Sequence, residues 1–219
     1  MASDDPDESV RMIALCQRLG RLGSDQEVET WEDEPAIEKI AECGLYLAKF
    51  QQDKDFQRIS QGGPWLFSSH LVNIKPWIPN TPLHCYDFTR CAFWVQILGL
   101  PLEWMTDQIL RKAANQLWDI LEVKVASKEG STVKIGRVRV EINLGVPMKT
   151  GKLIRLAGKL LWLDLRYERL PHFCYSCGRL GYYATNCIDI PFDLAKEEGK
   201  DKLAFGPWLK AEVHQSSPY

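Results

Sequence analysis

From residue 36 onward the chain alternates short apolar runs with turn residues, and most runs carry the two-residue period of strands. IEKIAECGLYLAKF mixes apolar and polar positions on both sides of Cys43-Gly44, which predicts a β-hairpin. QQDKDFQRI predicts a short helical segment with Phe56 and Ile59 on one face, GGPW at 62–65 a turn, and HLVNIKPWI a strand ended by PNTP. A second unit begins near Cys91 with the dense strand AFWVQILGL, closed by Pro101. WMTDQILRKAANQLWDIL is the strongest helix signal: Met105, Ile109, Leu110, Ala113, Leu117 and Leu121 recur mostly at helical spacing, and Thr106 is placed to cap the start. LEVKVA, VKIGRVRVEINL, KLIRLA and KLLWLDLRYE then read as strands. Val138, Val140 and Ile142 alternate with Arg137, Arg139 and Glu141, so these charges share one sheet face, and Gly136 breaks the alternation as a bulge would. Ahead of all this, Met12, Leu15, Leu19 and Leu22 predict a short amphipathic helix stopped at Gly23. The order is β-β-α-β followed by β-α-β-β-β-β, an α+β architecture.

Composition adds that 45% of the 219 residues are hydrophobic and eight are tryptophan, enough for one medium core or two small ones. No apolar run reaches the roughly 18 residues of a membrane span, and the acidic start MASDDPDESV is unlike a secretory signal. The seven cysteines, with no such signal, predict a reducing setting: intracellular, nuclear and/or cytoplasmic, not secreted. The net charge of −2 conceals segregation. Residues 1–45 hold 12 acids and 4 bases, whereas residues 122–187 hold 5 acids and 12 bases. The reading divides the chain into an acidic, partly disordered arm (1–35), an α+β domain (36–170), a cysteine-rich segment (171–190) and a tail (191–219). A basic module ending in cysteines points to a polyanionic partner; a solvated, strand-rich surface is the alternative.

The cysteine-rich segment reads FCYSCGRLGYYATNC over 173–187. Cys174, Cys177 and Cys187 have the spacing of a zinc knuckle, C-x2-C-x4-H-x4-C, but the histidine position holds Tyr182. A C-x2-C pair lets one turn present two sulfurs, and Gly178 and Gly181 free the backbone to close tightly. A phenol with a pKa of about 10 is a poor zinc ligand at neutral pH, so three thiolates with a water as fourth ligand predict a weak Zn2+ site. A metal-free turn is the competing reading.

No P-loop, G-x-S-x-G, H-E-x-x-H or dinucleotide fingerprint is present, and STVK with Lys149-Thr150-Gly151 mimics a penicillin-recognition signature only by chance. The expectation is a protein that is not an enzyme. Nucleic acid fits better, because exposed aromatics stack on bases while cations neutralise phosphates. The candidate contacts are Lys134, Arg137, Arg139, Arg166, Arg169 and Arg179 with Tyr175, Tyr182 and Tyr183. LAFGPWLKAE in the tail adds Phe205, Trp208 and Lys210, which either dock on the domain or meet a ligand.

GGPWLF (62–67), AFWVQILGLPLEW (92–104), GRVRVEINLGVPMKTG (136–151), LRYERLPHFCYSCGRLGY (165–182) and FGPWLKAE (205–212) together resemble a plant family derived from LINE-type retroelements. In that family an RRM-like domain of unknown function precedes a CCHC zinc knuckle. The resemblance implies a ferredoxin-like fold of β-α-β units and binding of RNA or single-stranded DNA, with zinc held by Cys174, Cys177 and Cys187. Two departures accompany it: Tyr182 replaces the family's zinc-binding histidine, and a β-α element that precedes the hairpin at 36–50 looks missing. The first unit is therefore expected to be truncated, with an unpaired sheet edge open to self-association. The rival expectation is a protein–protein interaction remnant, or a non-functional element fragment, with little affinity for nucleic acid.

Overall fold

The computed structural model describes residues 13–18, 37–41, 45–50, 52–127, 134–187 and 204–211. Two compact units divide the chain, 1–88 and 89–219. Both are α+β and mostly strand, and no helix among the described residues is long and apolar enough to cross a membrane.

In the first unit, β1 (Ile13–Arg18), β2 (Ile37–Ala41), β3 (Leu45–Lys49), β4 (Trp65–Phe67) and β5 (His70–Pro76) form one antiparallel sheet in the order β2-β3-β1-β5-β4. The helix expected around Met12–Leu22 is instead a strand where it is described. The reason is tertiary: β1 pairs on both sides, with β3 and β5. The strand expected to be missing is thus present within the stretch read as an acidic arm, and β3 lies between β2 and β1 rather than at an open edge. Residues 19–36, where the helix half of that expectation falls, lie outside the described residues.

Helix α1 (Asp53–Gly62) forms where QQDKDFQRI predicts it, with Asp53 and Asp55 at its positive N-terminal end. It lies against β1 and β5, and the Phe56 ring meets Phe50 at 5.8 Å between centroids. The GGPW turn has a steric reason. The Trp65 indole folds back over Gly62, where a Cβ would stand 3.0 Å from the ring, and its Nε1 donates to the Ile59 carbonyl at 2.6 Å. Ser68 and Ser69, both at positive φ, close β4 and β5 as a two-residue hairpin.

The second unit comprises β6 (Arg90–Leu98), α2 (Asp107–Ala114), β7 (Asp119–Ser127), β8 (Lys134–Asn143), β9 (Gly151–Leu156) and β10 (Lys159–Tyr167). Its antiparallel sheet runs β7-β8-β6-β10-β9. Counted from its own first strand, that is the order of the first unit again. The closing hairpin recurs too, with Ala157 and Gly158 at positive φ between β9 and β10.

Strict alternation gives this second sheet two faces. Phe93, Val95 and Ile97 of β6, Val138, Val140 and Ile142 of β8, and Leu163, Leu165 and Tyr167 of β10 are buried together with Leu110, Ala113 and Ala114 of α2. Thr106 caps α2 as expected, its Oγ1 accepting from Ile109 N at 3.4 Å. The helix ends at Ala114, well before the expected Leu121, where Lys152 Nζ donates to the Ala113 carbonyl at 2.8 Å. Leu121 sits instead at a bulge in β7 and is exposed. Gly136 makes no bulge. Its role is close approach, since a Cβ there would stand 2.5 Å from Leu110 Cδ2 and 2.7 Å from Met105 Sδ.

Gly136→Ala therefore pushes the ends of the Leu110 and Met105 side chains off β8. The expected loss is about 1–3 kcal/mol, read as a lower urea midpoint at an unchanged slope. An unchanged midpoint would show that these two side chains give way freely.

Candidate metal centre and surrounding surface

Strand β10 leads through Glu168–Leu170 into a small hairpin. Phe173 and Leu180 pair across it, Cys174 N donates to the Arg179 carbonyl at 2.8 Å, and Gly178 N returns to the Cys174 carbonyl at 2.8 Å. Gly178 and Gly181 have φ of +75° and +97°, in the left-handed region that glycine adopts without strain. A single 3-10 turn at Ala184–Asn186 brings the chain back to Cys187, whose N donates to the Ala184 carbonyl at 3.2 Å.

This folding gathers Cys174, Cys177 and Cys187, their sulfurs within 4.8 Å of one another. A tetrahedral zinc with Zn–S of about 2.3 Å needs sulfurs roughly 3.8 Å apart, so the three thiols fit such an ion. Burial of Cys174 pushes its pKa up, but backbone N–H groups of Cys177 and Ser176 and the side chains of Cys187 and Cys177 outweigh it, and the net shift is downward. The surroundings of Cys174 thus favour the thiolate that a metal requires.

Beside the three thiols, the histidine position of the knuckle pattern holds a tyrosine that contacts one of them. Tyr182 Oη lies 3.0 Å from Cys177 Sγ. His172, two residues before Cys174, is engaged elsewhere: its Nε2 lies 2.6 Å from Tyr183 Oη, with ring centroids 4.4 Å apart. His214 lies outside the described residues.

The other sequence-predicted residues divide into two groups. Around the hairpin, Tyr175 and Tyr183 are exposed, Arg169 is exposed at a positive-φ turn, and Arg179 is half-buried. On the second sheet, Arg137 and Arg139 share the face opposite α2 with Arg166, and Lys134 is exposed at the start of β8. Arg137 stacks on Trp94 with its Cζ 4.4 Å from the ring centroid, and its Nη2 meets Glu168 Oε2 at 3.5 Å. Lys124 Nζ approaches the same ring at 5.1 Å. Sequence reasoning missed Trp94 because the apolar run AFWVQILGL hides the alternation that puts it on the polar face; only strand pairing sets it beside Arg139.

The tail docks on the domain. Phe205 lies against Gly178, where a Cβ would stand 2.3 Å from its ring, and Leu209 is buried. Lys210 bridges to Tyr167, and Ala211 N donates to the Tyr167 carbonyl at 2.9 Å. Met148 N donates to the Gly178 carbonyl at 2.9 Å, so loop and tail clasp the hairpin from two sides.

With this geometry in place, residues 147–188 match the zinc knuckle family model. The chain is 26% identical over 136 residues to the uncharacterized protein At4g02000 of Arabidopsis thaliana, an alignment covering 61% of this chain and 42% of that relative. The chain therefore spans less than half the length of the curated relative it matches. No solved structure matches it.

The two hairpin glycines are separable by substitution. Gly181→Ala meets open space and incurs only its backbone cost, about 1–2 kcal/mol. Gly178→Ala adds a clash with Phe205, and it should release the tail as well as loosen the hairpin. Limited proteolysis near residue 204 should accelerate in Gly178→Ala and not in Gly181→Ala; equal rates would mean that Phe205 does not hold the tail.

Proposed function

We propose that this chain is a non-enzymatic nucleic-acid-binding module in which the cysteine hairpin, loaded with zinc, presents Tyr175, Tyr183, Arg169 and Arg179 to single-stranded RNA or DNA. The observation that carries the reading is the set of three converging thiols, matched to the zinc knuckle family over 147–188, beside exposed tyrosine rings. Zinc knuckles commonly bind nucleic acid, and they do so because a metal-tied loop holds aromatic and cationic groups rigidly against unstacked bases. The ion supplies fold, not chemistry: it fixes a loop too small to have a core of its own. The basic segment 122–187 supports the same partner, since phosphate neutralisation provides most of the non-specific affinity.

The strand order β2-β3-β1-β5, with α1 between β3 and β4, supports an RRM-like first unit, and α2 between β6 and β7 supports a second unit of the same kind. With the plant relative, these features favour derivation from a LINE-type retroelement and an intracellular site of action. Zinc is held more weakly than by three cysteines and a histidine, because Tyr182 stands at the fourth position.

Two measurements test this. In a chelator-competition titration, Tyr182→His should tighten zinc about tenfold or more, ~1.4 kcal/mol; equal affinity in both proteins would refute the weak fourth corner. Binding of a labelled single strand should fall steeply with salt. Replacing Arg169 and Arg179 by Ala should make log K against log salt shallower by about 0.7 for each phosphate that is no longer neutralised. Absence of binding at low salt would overturn the function.

A further inference from the structure

On the face of the second sheet opposite α2, Gln96 is buried beside Glu168 in the middle, whereas Trp162, Leu153, Leu160 and Arg155 towards β9 are exposed. Register places Lys124, Arg137, Gln96 and Arg166 side by side across β7, β8, β6 and β10. Beside that row stands Trp94, paired with Arg139. Farther along β10, Trp162 lies across from Leu153 of β9, and Arg155 pairs with Leu160. Trp162 is 50% exposed, with Leu153 and Leu160 at 56% and 62%.

The Trp162 ring is also held in place. It lies across Gly151, where a Cβ would stand 2.2 Å from Cζ2, and its Nε1 donates to Asp164 Oδ1 at 2.9 Å. One side of the indole is thus fixed to the sheet and the other faces solvent. At the opposite end Arg137 is half-buried over Trp94, its Cζ 4.4 Å from the ring centroid and its Nε enclosed. The acids between these points are engaged by their neighbours. Glu122 pairs with Lys124 at 2.7 Å, Glu168 accepts from Gln96 at 3.0 Å and pairs with Arg137, and Asp164 accepts from Trp162. Arg139, Arg155 and Arg166 have no ion pair among the described residues.

We infer that this face is a second nucleic-acid site, distinct from the cysteine hairpin: a single strand lies along β10 and β6, stacking one base on Trp162 and another on the Arg137–Trp94 pair, with phosphates at Arg139, Arg166 and Arg155. The inference rests on the nucleic-acid reading above. Asp164 pairs with Leu98, which sets Trp94 opposite residue 168, six positions from Trp162. At the strand rise that is roughly 20 Å, room for a few nucleotides between the two stacking points. Arginines without an ion pair among the described residues stand near both ends and between them, the arrangement a flexible polyanion needs. A duplex is not the fitting ligand, because its bases are already stacked and unavailable to an indole. A purely apolar protein partner would leave these arginines desolvated without carboxylates.

The test uses the full chain loaded with zinc and a fluorescent oligouridine or oligothymidine long enough to cover the face. Trp162→Ala should weaken binding about tenfold with little change in salt slope, whereas Trp162→Phe retains most of the affinity. Arg166→Ala should flatten the salt slope by about 0.7. Urea unfolding of each variant confirms that the fold is intact, and ultraviolet crosslinking should mark Trp162 or Trp94. If Trp162→Ala binds as tightly as the parent while Tyr175→Ala loses affinity and carries the crosslinks, the sheet-face site is wrong and the hairpin site stands. If the parent chain binds no oligonucleotide at low salt, both fall. If the parent self-associates and Trp162→Ala is monomeric with unchanged oligonucleotide binding, the face is a contact between copies and the inference is overturned.

Discussion

The phenol of Tyr167 is wholly buried and donates to the Lys149 carbonyl at 2.7 Å, while its backbone carbonyl accepts from Ala211 and its ring meets Trp118 edge-on. Sheet, loop and tail are tied through this one residue at the point where β10 gives way to the cysteine hairpin. Burial pushes the phenol's pKa far up, so it stays protonated and remains a donor across any physiological pH. The loop it holds reaches Gly178 through Met148, and the tail it holds reaches Gly178 through Phe205. The hairpin's position is therefore inherited from the second unit's core, which holds its backbone from two sides.

Among the described residues the two units repeat one strand topology, and each carries one α-helix. In the first, α1 falls between the third and fourth strands; in the second, α2 falls between the first and second strands, and a loop of 144–150 replaces a helix between the third and fourth. That loop is what the second unit uses to grip the hairpin. A strand order that recurs within one chain is a consequence of shared constraints: every pair is antiparallel, every strand finds a neighbour, and a tight hairpin with positive φ at both turn residues closes each sheet.

Tyr182 shows how one side chain joins two chemistries. At the histidine position of the knuckle pattern it places a hydroxyl, not an imidazole, against Cys177. A phenol at that distance shares a proton with the sulfur, whereas neutral imidazole offers a ready lone pair to a metal. The aromatic ring remains and the side-chain chemistry changes, while the neighbouring Tyr183 meets His172 instead, ring tilted against ring.

Much of this was legible in the residues themselves. The alternation in VKIGRVRVEINL located both faces of β8, Thr106 located the start of α2, and the spacing of Cys174, Cys177 and Cys187 located the hairpin, because each rests on local geometry. Three features were decided only by tertiary structure. Ile13–Arg18 became a strand because β3 and β5 each offer it an edge, a partner no window of sequence contains. Gly136 met Leu110 and Met105 rather than bulging, since whether a missing Cβ relieves a turn or a close packing depends on what lies above it. Trp94 and Trp162 read as ordinary apolar residues within strands until register set one beside Arg139 and laid the other over Gly151. Periodicity assigns a residue to a face, but only the pairing of strands distant in sequence determines its neighbours there, and those neighbours decide whether an indole is core or surface.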